Sequence, residues 1–485
     1  MITLKKNLVD LEKNNVYPVS IVINEGTIIS IKEINEKVEG YILPGFIDSH
    51  IHIESSMLVP SEFAIHAVKH GTIATISDPH EIANVLGTTG VDYMINNGNQ
   101  VPFYFFFGAP SCVPATKFET SGAEINAEEI GQLIKRPEIL YLAEMMNFPG
   151  VIHNDPEVIQ KIHYAKQANK PIDGHAPGLT GNDMLNYFKA GISTDHECFN
   201  YQEAYDKAKA GVKILIREGS AAKNFDELIP LINHFPEQIM FCSDDKHPDD
   251  LMEGHINLLV KRALAKGYNL FDVLRAASIN VIKHYQLPVG YLKTGHSADF
   301  ICVNNLTDFE IEQIYIKGNK VYENGNVLIK RINAPIINNF NCSPKKPENF
   351  SIISNNKNNI RIIEALDGQL ITNELIDTPT LTNNELTTNI NKDLLKITVV
   401  NRYSDQAPAV AFIKNFGLKQ GAIASCVAHD CHNIVAVGTN DTDLCNAVNA
   451  VIKNKGGIAV ANKQEILSLA LPIAGIMTNA PGEEV

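Results

Sequence analysis

Leu43-Pro44-Gly45-Phe46-Ile47-Asp48-Ser49-His50-Ile51-His52 is an apolar run that delivers His-x-His at its end. Residues i and i+2 of an extended strand face the same way, so His50 and His52 can aim two imidazoles at one metal ion. Spacing alone does not separate this from a chance pair, and the rest of the chain supplies the context. Together with 43–52, short apolar segments at 71–77, 102–107, 139–146, 170–175, 191–196, 212–217 and 238–244 make eight strand candidates. Helical stretches fill the gaps: Phe63, Ala64, Ala67 and Val68 share one face. Leu258, Leu259, Arg262, Ala263 and Lys266 run at helical spacing toward Gly267 as a cap. Strand and helix alternating eight times over about 240 residues predicts an α/β chain built on a (β/α)8 TIM-like barrel at 43–284, in preference to an open sheet.

The flanks have another texture. Residues 1–42 alternate apolar and polar, as in Val19-Ser20-Ile21-Val22-Ile23-Asn24, with Asn24-Glu25-Gly26 as a turn. The pattern returns in Ala298-Asp299-Phe300-Ile301-Cys302-Val303 and Ile311-Glu312-Gln313-Ile314-Tyr315-Ile316, so 1–42 and 285–332 are expected to build one small composite β-sandwich. From 333 to 393 the sequence is Asn-rich, with Asn338-Asn339, Asn355-Asn356 and Asn358-Asn359, and reads as a polar linker. A further α/β domain is expected over 394–485, with a strand at Leu395–Val400, a helix at 441–454 and a Gly456-Gly457 turn.

The 485 residues suffice for two or three domains, and 45% hydrophobic with 20% charged residues is ordinary globular composition. A formal charge of −14 argues against nucleic acid or an anionic membrane as partner, since phosphates are bound by clustered Lys and Arg. A neutral small molecule raises no such objection. The start MITLKKNLVDLEKNN has no apolar segment after its lysines, and no run reaches the ~18 apolar residues that span a bilayer. The eight scattered cysteines read as reduced thiols, and the expected compartment is the cytoplasm.

Barrel active sites lie where the C-terminal ends of the strands converge. The expected strand ends carry His50 and His52 on the first, Glu144 on the fourth, His175 on the fifth, His196 on the sixth and Asp244 on the eighth. Singly, His175 could be a loop residue and His196 a solvated one beside Asp195 and Glu197. Together they are an inventory for two divalent ions, with Glu144 able to bridge them through its two oxygens. Mixed imidazole and carboxylate donors suit Mn2+, Fe2+ or Zn2+ better than Ca2+ or Mg2+. Such a pair lowers the pKa of a bridging water and gives a hydroxide near neutrality, while Asp244 can take and return its proton.

Phe46-Ile47-Asp48-Ser49-His50-Ile51-His52 and the strand-end set resemble the amidohydrolase superfamily. Ala277-Ser278-Ile279-Asn280, followed by Gly290, Gly295 and Ala298-Asp299, resembles that family's return to its small β-domain. Glu54-Ser55-Ser56-Met57, Ser77-Asp78-Pro79-His80-Glu81-Ile82-Ala83-Asn84-Val85, Asp195-His196-Glu197, Arg217–Asn224 and Ser243-Asp244-Asp245-Lys246-His247-Pro248 together resemble the bacterial adenine deaminases. So does Ser425-Cys426-Val427-Ala428-His429-Asp430-Cys431-His432-Asn433-Ile434. The resemblance implies hydrolytic deamination of adenine to hypoxanthine and ammonia. It implies His50, His52, Glu144, His175, His196 and Asp244 as holders of two metals, Mn2+ or Fe2+ with Zn2+ as an alternative, and Asp244 as proton shuttle. Glu144 stands where many superfamily members carry a modified lysine. A homo-oligomer is the default for such an enzyme.

Other positions leave two readings open. His80 and Glu81 either bind or protonate the purine or belong to a surface βα loop. Arg217 and Glu218 read as an internal ion pair shaping the mouth. The spacing of Cys426, His429, Cys431 and His432 is not that of a tetrahedral zinc site. His429 and Asp430 either reach the active site from the second domain or form a buried turn. The chain stops eight residues after Met477, and the second domain is expected to be shortened. Two rival functions are a cyclic-amide hydrolase, which calls for lysine at 144, and a silent purine- or metal-binding scaffold.

Overall fold

The computed structural model describes residues 1–354, 359–367 and 371–485; Asn355, Asn356 and Asn358 of the Asn-rich stretch lie outside the described residues. The first strands are β1 (Ile2–Asp10), β2 (Asn15–Asn24), β3 (Thr27–Glu33) and β4 (Tyr41–Pro44). In β2 the side chains of Val19, Ile21 and Ile23 are buried while those between them are not, the two-residue period of a sheet with one covered face.

After Gly45 the chain turns into the barrel. Its strands are β5 (Phe46–His52), β6 (Thr72–Ser77), β7 (Tyr104–Ala109), β8 (Ile139–Met145), β9 (Ile172–Gly174), β10 (Thr194–Asp195), β11 (Lys213–Arg217), β12 (Ile239–Cys242) and β13 (Asp244–Asp245). Parallel pairing runs from β5 to β9 and from β10 to β12, and β13 pairs parallel with β5 through Asp244 and Ile51. The Ser193 amide donates to Ile172 O at 2.9 Å across the β9–β10 seam, so the ring closes. β12 and β13 are one strand interrupted at Ser243, which gives eight staves. Every residue of β5 and β6 is buried, as expected where both faces of a parallel sheet are covered.

Asp48 locks the closure. Its carboxylate accepts from the Ser243 amide at 3.0 Å and from the Ser243 hydroxyl, and it lies 2.7 Å from His255 Nε2. The other ring nitrogen of His255 meets Thr72 Oγ1 at 2.8 Å, so one buried cluster ties β5, β6 and the β12–β13 junction together.

The chain then returns through β14 (Phe300–Val303), β15 (Ile311–Ile316), β16 (Asn319–Glu323) and β17 (Asn326–Val327). β14 pairs antiparallel with β4, and the two flanks form one eight-stranded sheet in the order β17-β16-β15-β14-β4-β1-β2-β3.

The last region contains β18 (Ile352–Ile353), β19 (Ile360–Ala365), β20 (Thr372–Asp377), β21 (Thr380–Thr382), β22 (Glu385–Thr387), β23 (Leu395–Val400), β24 (Ala409–Lys414), β25 (Ala422–Ser425), β26 (Ile434–Gly438), β27 (Ile458–Asn462) and β28 (Glu465–Leu469). Eight of these form a sheet ordered β20-β19-β24-β23-β26-β25-β27-β28. Leu444, Val448 and Val451 of the helix Asp441–Asn454 share a buried cluster with Ala424, Ala436 and Ala459 of the sheet. This corrects the expected linker at 333–393, because β19 pairs with β24 and belongs to the domain sheet. Asn383 and Asn384 adopt φ of 50° and 65°, the left-handed backbone that asparagine tolerates. The Asn383-Asn384 pair makes the tight turn between β21 and β22.

Candidate active site

Both imidazoles of the His-x-His pair are buried at the end of β5. His50 Nε2 lies 3.5 Å from Asp244 Oδ1, and His52 Nε2 lies 3.2 Å from the same oxygen and 3.3 Å from Glu144 Oε1. Glu144, next to last in β8, divides its oxygens between two groups. Oε1 faces His52 and, at 3.4 Å, His80 Nδ1; Oε2 faces His175 Nδ1 at 2.6 Å and His196 Nε2 at 3.2 Å. His175 and His196 are the residues immediately after β9 and β10. Asp244 has φ of 58°, and this break in the strand separates β12 from β13. The structure thus brings together all six residues expected to hold metal.

The chemistry of this cluster fits a metal ion. Ligand atoms of His50, His196 and Asp244 lie within 4.8 Å of one another, as do those of Glu144, His175 and His196. Both ring nitrogens of the buried His50 lack a hydrogen-bond partner, and its ring stacks on His196 at 4.0 Å. An unpaired buried nitrogen costs about 1–3 kcal/mol unless something uses its lone pair. Burial, with His196 beside it, pushes His50 below its ordinary pKa, toward the neutral form that a ligand requires.

Glu144 and Asp244 are both held toward the ionised form. Burial would raise Glu144, but His175, then His196 and His52, outweigh it and hold the carboxyl well below its usual range. Burial would likewise raise Asp244, and Arg217 above all holds it down. Arg217 Nη1 donates to Asp244 Oδ2 at 2.5 Å and also to Glu197. The expected Arg217–Glu218 pair does not form, since neighbours in a strand point to opposite sides. Glu218 instead accepts from Arg262 at 2.5 Å.

His80 and Glu81 open the helix His80–Leu86 after β6, and both are buried, so the surface-loop reading does not hold. His80 Nδ1 lies 3.0 Å from Asp78 Oδ2, and its Nε2 lies 3.6 Å from Asp430 Oδ1. Glu81 receives His429 Nδ1 on one oxygen and His432 Nε2 on the other, both from the loop between β25 and β26. That loop therefore seats on the barrel mouth. Cys426 donates to Gly475 O at 2.8 Å and accepts from the Gly457 amide at 3.1 Å, so its sulfur is engaged by the backbone of the second domain.

Asp78, Glu197 and Glu54 also belong to the site and were not singled out from the sequence. Burial pushes Glu54 up to about 7, and its Oε1 accepts from the Ile82 amide at 3.2 Å. Each lies within two residues of a named histidine, which is the signal that could have found them.

A closed parallel barrel with this donor set at the C-terminal ends of its strands defines a metal-dependent hydrolase of the amidohydrolase class. Residues 41–321 match the Amidohydrolase family, and residues 369–485 match the Adenine deaminase C-terminal domain. An adenine deaminase of Sulfurovum sp. (strain NBC37-1) is 54% identical over 99% of this chain and 89% of its own length. One from Salinibacter ruber is 50% identical over 99% and 88%. A β-aspartyl dipeptidase from Fervidobacterium islandicum AW-1, 15% identical, shares the fold with a TM-score of 0.51 over 69% of this chain and 99% of its own. The chain belongs to the adenine deaminase family of amidohydrolases. Among the described residues no helix is long and apolar enough to cross a membrane.

Proposed function

We propose that the protein hydrolyses adenine to hypoxanthine and ammonia for purine salvage, with His50, His52, Glu144, His175, His196 and Asp244 holding two divalent ions. The observation that carries this reading is a buried imidazole–carboxylate cluster in a chain that is about half identical, nearly end to end, to relatives named adenine deaminases. Divalent ions bound there would supply the charge that ionises a water near neutrality. The mixed donors favour Mn2+ or Fe2+.

The protein's own groups do the rest. His52 faces one oxygen of Glu144 and His175 and His196 the other, while His50 and His52 face Asp244 Oδ1. Asp244 Oδ1 takes the proton of the water that attacks C6 and returns it to the departing amine, so adenine and water become hypoxanthine and ammonia. Arg217 keeps that carboxylate ionised and aimed. The buried His80 and Glu81 border the space for the purine. Glutamate at 144 disfavours a cyclic-amide hydrolase built on a bridging lysine. The eight cysteines are all unpaired, which agrees with a reducing compartment such as the cytoplasm.

The test is to purify the protein with Mn2+ or Fe2+, add adenine, and follow hypoxanthine and ammonia together, with adenosine and cytosine as controls. Equal amounts of the two products from adenine alone are expected. Bound metal with no ammonia from any of the three substrates would refute the enzyme reading and favour a binding scaffold.

A further inference from the structure

The loop between β25 and β26 carries two imidazoles that meet one carboxylate, but they are not equivalent. His432 is buried, and Glu81 and the Cys426 carbonyl engage its two ring nitrogens. The His429 side chain keeps 37% of its surface exposed. Its Nδ1 is bound to Glu81, while its Nε2 lies 3.9 Å from Asp245 Oδ1, too far for a hydrogen bond. Asp245 follows Asp244 and accepts from Ser55 Oγ at 2.6 Å, so the free edge of His429 stands over the mouth between the ends of β5 and β13. A carboxylate on one ring nitrogen fixes the orientation of the imidazole and leaves the other as a directed donor.

Resting on the adenine reading above, we infer that His429 is a substrate-contacting residue lent to the barrel by the second domain, donating its Nε2–H to a ring nitrogen of the purine. Glu81 and, through it, His432 are positioning residues. Attack at C6 moves negative charge onto the purine ring nitrogens, so a donor placed there binds the transition state more tightly than the substrate. Burial opposes charge on His429, but Glu81 outweighs it and raises the imidazole to about 10, which keeps a proton on Nε2 at neutrality. Adenine has no charge by which the acidic site could hold it, and directed donors are the means left for recognition.

The contacts prescribe which replacements are tolerated. The Asn amide nitrogen stands where the Nδ1 of His stands, and the Gln amide nitrogen where Nε2 stands. His429→Asn therefore keeps the Glu81 contact and removes only the donor to the substrate. It is expected to retain metal content and Tm while kcat falls on the order of 10²–10³-fold, the loss seen when one transition-state donor is removed. His432→Ala is expected to lose kcat with metal still bound, and His432→Gln, which keeps the donor to Glu81, to recover part of that loss. A second readout is hypoxanthine binding to the metal-loaded protein by titration calorimetry, in which His429→Asn is expected to bind hypoxanthine more weakly than wild type. Wild-type kcat in His429→Asn, or wild-type affinity for hypoxanthine in that variant, would reduce His429 to a domain contact and overturn the inference. Absence of ammonia from the wild type itself would remove the adenine reading and this inference with it.

Discussion

Asp244 is where the charges of the site meet. His50 and His52 face its Oδ1, Arg217 holds its Oδ2 at 2.5 Å, and Glu197 shares the same guanidinium. Replacing it with Asn preserves the shape and an oxygen for ligation but removes the proton acceptor. Asp244→Asn is expected to keep most of its metal and to lose about 10²–10⁴-fold in kcat, the contribution of a positioned acid–base group. Metal analysis beside steady-state rates checks this, and wild-type turnover would remove Asp244 from the mechanism. The histidines were legible because each ends an apolar run and the barrel rule says what strand ends are for. The partners of Arg217 were not, because Glu197 and Asp244 reach it from the ends of two other strands.

At the scale of elements, β9 and β10 are only three and two residues long, shorter than the apolar segments 170–175 and 191–196 that marked them. Hydrophobicity continues where ladder pairing has stopped, because the chain is already bending into the mouth. Something else must hold those ends, and Lys207 of the helix Tyr201–Lys209 does so. Its buried ammonium donates to Asp195 Oδ2 at 2.7 Å, Glu203 Oε1 at 2.6 Å and Ala176 O at 2.8 Å. Asp195 and Ala176 directly adjoin His196 and His175. Glu203 also accepts from the Gly178 and Phe199 amides at 2.9 and 3.0 Å, so one cation ties both ligand loops to one helix. Lys207→Met leaves two buried carboxylates without a counter-charge and is expected to cost about 3–5 kcal/mol. Denaturant unfolding should show this loss together with weaker metal retention. Unchanged stability would mean that the loops are held by their backbone alone.

Across the whole molecule, composition misled only where local texture was taken for domain structure. Ile360 and Ile362 flank Arg361 in β19 and share one small apolar cluster with Leu375 of β20, a covered face hidden among asparagines. The seating of the second domain on the barrel is a tertiary fact that no local pattern carries. Ile473, Ala474, Ile476 and Met477 lie in the barrel's own core cluster, and the Thr478 amide donates to Met57 O at 2.9 Å. Interlocking of this kind makes unfolding a property of the whole chain, and pH reports on it through histidines outside the metal cluster. Burial pushes His284, and likewise His70, down to about 4. His284 Nε2 lies 3.4 Å from Ser193 Oγ, at the seam where the barrel closes. An unfolded histidine titrates near 6.5. Between about 6.5 and 4 the unfolded chain therefore binds the proton and the folded chain does not, so this group's contribution weakens as pH falls and is constant above about 7. Other groups titrate over the same range, and a variant isolates the histidine from them. His284→Gln is expected to lose less Tm than wild type between pH 7 and pH 5, so that the gap between the two narrows on acidification. A gap that stays constant over that interval would show that His284 is protonated as readily in the folded protein as in the unfolded chain.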